Sequence, residues 1–372
     1  MQLSYWEYKT WFSQVDFTVI GSGIVGLNCA LQLREKYPNS KILVLEKGSL
    51  PQGASTKNAG FACFGSISEV LSDLKTHSKD EVVQLVQKRW QGIQRLRQLL
   101  GDEAIGFELH GGHELFEKRN PDFYQQCLDS VDELNHLLEP VFGTKPFVCT
   151  KNTFEFGRIQ DHYITHQFEG QLDTGKMMYA LIKKCLANEI PILNGIEVMD
   201  IIETGTGATI ATKDFEFNSR KVFVATNGFA AKLLKSAPIQ PARAQVLITE
   251  PIKNLKIKGT FHFDEGFYYF RNIDDRILFG GGRNLDFKTE ETVEFGQTEI
   301  IQSKLEELLE HMILPGQKPK IAQRWSGIMG VGPQKTPIVK QLSNSICCGV
   351  RLGGMGVALG SLVGAELASL AD

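Results

Sequence analysis

The sequence lacks the features that mark several classes of protein. Its seven cysteines show neither CxxC pairs nor metal-finger spacing, and a chain of 372 residues needs no disulfide scaffold, which favours a reducing, cytoplasmic setting. The 40 basic and 43 acidic residues leave no charge excess of the kind that drives binding to nucleic acid. Residues 1–15 show no signal-peptide pattern, and no window reaches the roughly 18 apolar residues of a membrane-spanning helix. We therefore expect a soluble protein with no integral membrane segment and no nucleic-acid partner.

Glycine, in contrast, is abundant, with 36 residues grouped at a few points. The first group, GSGIVG, lies between a short apolar run at 16–21 and helical spacing over 24–36, and an apolar strand at 41–46 ends in Glu46. In such a βαβ unit Gly21 permits the tight turn, Gly23 lets the backbone approach a pyrophosphate, and Gly26 allows close helix packing. Glu46 is placed to bind ribose hydroxyls. The pattern predicts a dinucleotide site and leaves NAD and FAD both open.

Two further glycine-containing segments favour a flavin. Residues 53–60, GASTKNAG, follow the second strand, where the chain must pass close to a flat cofactor. Residues 349–360, GVRLGGMGVALG, repeat the order of strand, glycine turn and helix. The first turn of that helix could stabilise the negative charge that a flavin gains at its pyrimidine edge on reduction. For either segment alone, an ordinary glycine-rich turn is the alternative.

The remaining sequence predicts a mixed α/β protein. Helical spacing covers 79–100, 121–138, 175–189 and 297–313, and strand patterns cover 105–117, 153–169, 191–202, 208–217, 220–225 and much of 243–287. The order places a βαβ unit first and a βα unit last, so we expect a Rossmann-like nucleotide-binding domain with a second, substrate domain built on a mixed, largely antiparallel β-sheet. The predicted boundaries are 14–75, 163–238 and 327–372 for the first domain, 76–162 and 239–326 for the second, and 1–13 for an N-terminal extension.

Eight motifs, in this order along the chain, resemble those of the D-amino-acid oxidase family of FAD-dependent oxidoreductases. They are SYWE at 4–7, VIGSGIVG at 19–26, GASTKNAG at 53–60, EGQLD at 169–173, VATNG at 224–228, PARAQVLITEP at 241–251, WSG at 325–327 and GGMGVALG at 353–360. The likeness is greatest to the branch with glycine oxidase, sarcosine oxidase and γ-glutamylputrescine oxidase. It implies an FAD-binding domain beside a substrate domain, and oxidation of a CH–NH bond of an amine or amino acid by hydride transfer to flavin N5.

The resemblance also implies which residues hold FAD. Three glycines lie at the pyrophosphate, Glu46 at the adenosine ribose, the backbone of Val198 at the adenine, and 354–358 at the flavin pyrimidine edge. The cofactor-binding residues implied are Gly21, Gly23, Ile24, Val25, Gly26, Glu46, Lys47, Ser55, Thr56, Asn58, Ala59, Gly60, Val198, Thr226, Asn227, Gly228, Gly354, Met355, Gly356, Val357 and Ala358. We expect non-covalent FAD, because the segments that carry a flavin-linking cysteine or histidine in other members have no clear equivalent here.

The substrate side departs from the family pattern. Many amino-acid oxidases of the family carry a carboxylate-binding arginine after the tryptophan-x-glycine step, and this chain has Met329 there. Arg271 and Arg283 are the alternative anchors, and strand alternation favours Tyr269 with Arg271 as pocket residues. An amine or a substituted amino acid is then favoured over a simple α-amino acid.

Several alternatives stay open at this stage. Related folds oxidise hydroxy acids or polyols, and a non-catalytic flavin-binding partner subunit is a further reading. The electron acceptor could be oxygen, a quinone or a partner protein, and a homodimer is possible. The eight histidines show no pattern of a metal site.

Overall fold

The computed structural model describes residues 3–235 and 237–372. Residues 1, 2 and 236, which fall in the predicted extension and first domain, lie outside the described residues. The helices are α1 (Tyr5–Glu7), α2 (Ile24–Lys36), α3 (Ile67–Leu74), α4 (Lys79–Leu100), α5 (Asp102–Ile105), α6 (Pro121–Asp129), α7 (Val131–Phe142), α8 (Thr174–Ala187), α9 (Glu299–Leu308) and α10 (Gly356–Ser369). Short 3-10 turns cover Ala54–Thr56, Asn227–Lys232 and Arg283–Leu285, and π-helical turns cover Tyr8–Phe12 and Leu309–Ile313.

The strands form two large sheets and one small pair. They are β1 (Val15–Ile20), β2 (Ile42–Glu46), β3 (Phe61–Ala62), β4 (Gly112–Glu114), β5 (Phe147–Lys151), β6 (His162–His166), β7 (Gly170–Gln171), β8 (Ile192–Asn194), β9 (Val198–Thr204), β10 (Gly207–Thr212), β11 (Glu216–Val224), β12 (Gln240–Thr249), β13 (Thr260–Phe263), β14 (Tyr268–Ile273), β15 (Arg276–Gly281), β16 (Ile321–Val331), β17 (Ile338–Gln341) and β18 (Ile346–Val350). In the described ranges, no helix combines the length and apolar character needed to cross a bilayer.

The first sheet is built around parallel strands. Its order is β17-β18-β11-β1-β2-β8, with β10 pairing β11 and β9 pairing β10. Val19 in β1 lies opposite Val44 on one side and Phe223 on the other. Alternate residues along these strands enter different apolar clusters, so both faces are covered. That arrangement explains the continuous apolar runs that the sequence shows in β1 and β2.

The second sheet is mixed and largely antiparallel, in agreement with the predicted α/β class. Its order is β16-β12-β15-β14-β13-β4-β6-β5, and within it β13 and β4 run parallel. The strand β6 pairs with β4 and β5, and β16 pairs with β12 along its length. The predicted boundaries at 163 and 327 therefore cut through strands of the second sheet. In the structure, β6 and β16 continue without interruption across these two predicted boundaries.

Helix α4 also packs against a different part of the protein from the one predicted. The sequence placed it in the second domain, but it packs against α10, which covers the first sheet. The approach is close because Gly92 has no side chain: a Cβ atom there would overlap the carbonyl oxygen of Ala358. Ser361 Oγ donates a hydrogen bond of 2.6 Å to the carbonyl of Gly92. Close backbone contact with α10 therefore fixes the position of α4, and the hydrophobic periodicity of the sequence gives no sign of such a contact.

Most predicted elements appear in the structure, with two marked differences. Helices α2 and α4 have the bounds that the spacing predicts. The predicted strand at 105–117 is instead the end of α5, a loop and the short β4, because Gly106 and Gly111 adopt φ values of +57° and +83° that an extended strand excludes. Within 153–169, the strand β6 covers five residues, and the preceding loop contains Glu155 and Arg158 with positive φ.

Candidate active site

The turn between β1 and α2 leaves a helix N-terminus free to bind a ligand. Gly21 has φ +103°, and a Cβ atom there would lie 2.8 Å from the carbonyl oxygen of Ala225. Helix α2 begins at Gly23 with no side-chain cap from that residue, and Ser55 Oγ accepts the Ile24 N–H at 2.9 Å. Ser55 thus binds the first amide of the helix, and the amides that follow, together with the helix dipole, favour an anion such as a pyrophosphate. The local geometry therefore fits the dinucleotide site that the glycine pattern predicts.

Glu46 is fixed beside this turn at the end of β2. Its Oε2 accepts the backbone N–H of Ser22 at 3.2 Å and the Ser22 hydroxyl at 2.8 Å, and its Oε1 accepts the Gly48 N–H at 3.0 Å. The side chain is buried, so its orientation is set by these bonds. An acceptor held in this place suits the hydroxyls of an adenosine ribose. The neighbouring Lys47 places its ammonium 3.6 Å from the ring centroid of Phe229.

A third piece of the site is the loop at 53–60. The Asn58 side chain ties it together, since its Nδ2 donates to the carbonyl of Ser55 at 2.8 Å and its Oδ1 accepts the Gly60 N–H at 2.8 Å. Thr174 Oγ1 at the start of α8 also donates to Asn58 Oδ1, at 2.9 Å. The loop is thus held by its own side chains and by α8 before any ligand is bound.

Arg271 supports the same loop, which corrects its expected place in the pocket. The side chain is 4% exposed and does not line the cavity. Its Nη1 donates to the carbonyls of Ala59, Gly60 and Leu172 at 3.3, 3.1 and 2.7 Å. Burial lowers the pKa of this guanidinium to about 10. Strand alternation predicts which face of β14 carries Arg271. It could not show that three backbone carbonyls of other segments bind the Arg271 Nη1 group.

The start of α10 forms a second open helix N-terminus. The helix follows Met355 without a side-chain cap, and Cβ atoms added at Gly354 or Gly356 would meet nothing within 4 Å. Asn227 Oδ1 orients the turn by accepting the N–H groups of Arg351 and Leu352 at 3.0 and 3.2 Å. The open space at this helix start can hold the pyrimidine edge of a flavin, because the free amides and the helix dipole stabilise the negative charge that this edge gains on reduction.

Both helix starts, the 53–60 loop and the second sheet line one cavity of about 350 Å³. Thirteen of the predicted site residues are in its wall: Gly23, Ile24, Val25, Ser55, Asn58, Ala59, Asn227, Tyr269, Met329, Gly354, Met355, Gly356 and Val357. The other predicted residues are not among those that line the cavity: Gly21, Gly26, Glu46, Lys47, Thr56, Gly60, Val198, Thr226, Gly228, Arg271 and Ala358. Two helix starts without a side-chain cap from their N-cap residues, at one cavity, fit a cofactor with a pyrophosphate at one end and a flavin at the other.

The second sheet supplies the opposite wall. Tyr269 and His262 lie across from each other on β14 and β13, and the Phe61 ring contacts both edge-on, with centroids 5.7 and 5.1 Å away. Burial raises the pKa of Tyr269 to about 12, so its hydroxyl is a neutral donor at physiological pH. Sequence reasoning gave His262 no role. His262 lies opposite Tyr269 in a strand hairpin, and the sequence alone does not determine the register that places them opposite each other.

Three charged residues also line the cavity: Lys57, Arg283 and Glu69. Arg283, in the 3-10 turn after β15, stacks its guanidinium over the Phe287 ring with the central carbon 4.7 Å from the ring centroid. Burial lowers the pKa of Arg283. Glu69, on α3, lines the cavity while its Oε2 accepts the Ser66 N–H at 3.2 Å. Met329 lies in the same wall, with no charge to offer an anion.

Cys63 is the cysteine of this wall. Its Sγ lies 3.8 Å from the Met355 sulfur, and burial raises the pKa of the thiol well above its ordinary value. The neutral thiol form is therefore favoured, and it is a much weaker nucleophile than a thiolate.

Comparison with known proteins gives the class of the molecule. A family model described as FAD dependent oxidoreductase (DAO) matches residues 16–370. The chain therefore belongs to this family, as its motifs predict, and it is an FAD-dependent oxidoreductase.

Individual proteins give the same class. A curated relative, the probable oxidoreductase OrdL of Haemophilus influenzae, is 24% identical over 373 residues, which cover 95% of this chain and 82% of the relative. Among solved structures, glycine oxidase from Geobacillus kaustophilus superposes with a TM-score of 0.77 at 19% identity, covering 96% of this chain and 94% of that one. L-proline dehydrogenase from P. horikoshii has a TM-score of 0.77 at 16% identity, with coverage of 96% and 93%. Likeness at these identities establishes the fold.

Proposed function

We propose that this protein oxidises the CH–NH bond of an amino acid or amine, using FAD held without a covalent bond. The observation that carries the proposal is the single cavity in which two uncapped helix starts face a wall with Tyr269, His262 and Arg283. FAD, when bound, supplies an acceptor for the hydride of the substrate C–H bond. Structural neighbours named for oxidation of glycine and proline support an amine-bearing substrate.

The residues of the first sheet hold the cofactor in this proposal. The start of α2 binds the pyrophosphate, Glu46 binds the ribose, and the 53–60 loop passes along the pyrophosphate and flavin. The start of α10 faces the pyrimidine edge, where its amides and dipole stabilise negative charge. Because Cys63 is kept as a neutral thiol, we propose that no thioether to the flavin forms.

The residues of the second sheet position the substrate. Arg283 supplies the guanidinium group in the cavity wall. Its side chain stacks over the Phe287 ring, and this contact leaves its N–H groups able to bind a ligand. It can bind a carboxylate in place of the arginine that Met329 replaces, and the Tyr269 hydroxyl can donate a further hydrogen bond. Positioning of this kind supplies much of the rate in a reaction that brings a C–H bond into a near-attack geometry.

An anaerobic visible spectrum of the purified holoenzyme tests the proposal. The panel contains glycine, sarcosine, proline, other D- and L-amino acids, polyamines and hydroxy acids, so no knowledge of the electron acceptor is needed. We expect an amino acid or amine to bleach the flavin band. Bleaching by hydroxy acids alone would replace the proposal by oxidation of a CH–OH bond, and reduction by dithionite alone would contradict both. Adding oxygen or a quinone to the bleached enzyme then identifies the acceptor.

A further inference from the structure

We propose that His262 accepts a proton from the substrate's ammonium group and that Glu169, behind it, positions and stabilises the imidazolium that forms. The inference rests on the proposed function, because it concerns how the same cavity prepares an amine for oxidation. An ammonium nitrogen has no lone pair to share with the carbon that loses hydride, so one proton must leave first. Among the described cavity residues, His262 and Glu69 both have side chains that can accept a proton, and we assign the role to His262 because a carboxyl group lies behind its imidazole.

The geometry arranges carboxylate, imidazole and cavity in a row. His262 lines the cavity and is 7% exposed, and its Nε2 is sealed from solvent with no hydrogen-bond partner. The nearest carboxylate oxygen, Oε2 of Glu169, lies 3.9 Å from this nitrogen. Nδ1 is therefore the nitrogen left to face a ligand. Phe61 and the strand β13 hold the ring in this orientation.

Glu169 is itself fixed and almost completely buried. Its Oε1 accepts the N–H groups of Phe64 and Gly65 at 2.7 and 3.1 Å, so its other oxygen remains directed at the imidazole. A small closure of the 3.9 Å gap makes a hydrogen bond from Nε2–H to this carboxylate. That bond selects the tautomer with a lone pair on Nδ1, which is the form that a proton acceptor requires.

The surrounding charges permit the transfer. Burial lowers the pKa of His262, so the ring is neutral and able to accept a proton at physiological pH. Burial also raises the pKa of Glu169 to about 7, so Glu169 is a carboxylate only above that pH. Glu69 on α3 faces the imidazole and favours its cation, while the buried His113 near it disfavours a second positive charge. Tyr269, on the adjacent strand, stays neutral. An imidazolium formed here is thus stabilised by Glu69 and, above pH 7, by the ionised Glu169.

The step balances as a simple proton transfer. The N–H bond of the ammonium breaks, its electron pair stays on nitrogen as the lone pair, and the proton bonds to His262 Nδ1. The amine is then neutral and the imidazolium carries the charge, with Glu169 as its counter-ion. Once the product has left, the imidazolium returns the proton to water, and the pair is ready for the next substrate.

Rapid mixing of holoenzyme with the substrate found by the anaerobic panel tests this assignment. We compare His262→Gln, Glu169→Gln and the control His136→Gln, an exposed histidine on α7, after matching FAD content and circular dichroism. At pH 8, where Glu169 is ionised and the substrate is still an ammonium, we expect His262→Gln to slow flavin reduction about 100-fold and Glu169→Gln about tenfold, with the control unchanged. Above the pKa of the free amine the deficit should largely disappear, because the substrate then arrives deprotonated. If His262→Gln does not fold, His262→Asn and Glu169→Gln carry the test.

A second readout does not depend on turnover. NMR titration of the His262 ring in oxidised holoenzyme, assigned by its loss in the variant, should show a lower pKa in Glu169→Gln than in the wild type, because the carboxylate no longer stabilises the cation. A deficit equal at every pH would show a packing role and overturn the assignment, as would an unchanged rate profile or a His262 titration indifferent to Glu169. Failure of every amine to reduce the wild type would instead contradict the proposed function.

Discussion

Arg271 and Arg283 both lie close to the cavity but have different contacts. Arg271 points into backbone carbonyls and is removed from the cavity, whereas Arg283 stacks on an aromatic ring and remains in the wall. The sequence offered both as anchors for a carboxylate. Strand alternation could not separate them, because the difference depends on which groups of distant segments fold against each side chain.

Replacing Arg283 tests its role as the carboxylate anchor. We expect Arg283→Met to raise KM for a carboxylate-bearing substrate about 10- to 100-fold, since charge-assisted hydrogen bonds are worth roughly 1.5–3 kcal/mol. The corresponding amide or ester of the substrate should lose little. Arg220→Met, at an exposed position on β11, is the control. Equal losses for acid and amide, measured by steady-state kinetics, would rule out carboxylate binding by this residue.

Glu114 makes the stability of the protein depend on pH. The carboxyl is buried, bonded to the Ser68 N–H and hydroxyl, and burial raises its pKa to about 7. Between its ordinary pKa of 4.5 and about 7, the folded state binds more protons at this residue than the unfolded state does. Its contribution to stability is therefore complete below pH 4.5 and is lost as the pH rises through 7.

A substitution that removes this titration isolates the effect. We expect the free energy of unfolding of wild type to fall relative to Glu114→Gln by on the order of 1–3 kcal/mol between pH 4.5 and 8. Urea unfolding of the holoenzymes at several pH values measures the difference. Glu139→Gln, at an exposed position on α7, should track the wild type. A constant offset between wild type and Glu114→Gln would show that Glu114 is ionised in both states.

At the scale of elements, α2, α4 and α10 form a tightly packed group because glycines let their backbones approach. A Cβ at Gly364 on α10 would lie 2.6 Å from the carbonyl oxygen of Val25 on α2. Gly92 has the same function between α4 and α10. Since α2 and α10 both begin at the cavity, their packing also sets the distance between the two ends of the cofactor site.

Gly92→Ala measures the value of this contact. We expect the free energy of unfolding to fall by about 1–3 kcal/mol, because the added methyl group forces α4 and α10 apart despite the better helix propensity of alanine. Gln91→Ala, exposed on the same helix, is the matched control and should be neutral or slightly stabilising. Denaturant unfolding gives both values. A stabilised Gly92→Ala would show that the helices relax at no cost.

The loop at 53–60 depends on Arg271 in a comparable way. Arg271→Met removes the guanidinium donor from the carbonyls of Ala59, Gly60 and Leu172, of which Gly60 keeps the Leu172 N–H as a second donor. We expect a loss of about 3 kcal/mol in stability and weaker FAD binding, measured by thermal unfolding and by flavin fluorescence titration. KM measured on enzyme saturated with FAD should change little. A large rise in KM with full FAD affinity would instead place Arg271 at the substrate.

Local order explains what the sequence could predict of these elements. The βαβ unit, α4 and the terminal βα unit carry strong periodicity and glycine signals within a few residues, and the structure has them at the predicted positions. The domain boundaries depended on which distant strands pair. No local pattern shows that His162–His166 joins β4 and β5, or that Ile321–Val331 continues along β12.

For the whole molecule, the prediction concerns how FAD is retained. We expect acid precipitation of the holoenzyme to release the flavin into the supernatant, because Cys63 is a buried neutral thiol and thiolate character is needed to form a thioether. The absorption spectra of supernatant and pellet measure the distribution. Cys63→Ser should behave in the same way. Flavin that stays in the wild-type pellet but leaves that of Cys63→Ser would show a covalent link at this position.

The cofactor side of the site was more predictable than the substrate side. Contacts to a pyrophosphate come from turns whose glycines are visible in the sequence, and eleven of the predicted cofactor-binding residues line the cavity. The substrate wall, in contrast, comes from side chains such as His262 and Arg283, which depend on the register of β13 to β15 and on the turn that follows. Register is set by long-range pairing, so the sequence named Arg283 only as one of two possible anchors and gave His262 no role.

The two helix starts that face the cavity lie near opposite ends of the described chain, α2 beginning at Ile24 and α10 at Gly356. During synthesis, the ribosome releases α2 long before α10 exists. A nascent chain therefore presents half of a cofactor site, with no partner for the flavin end, until nearly all of the described sequence has emerged. A flavin that contacts both helix starts can consequently be bound only after α10 has been synthesised.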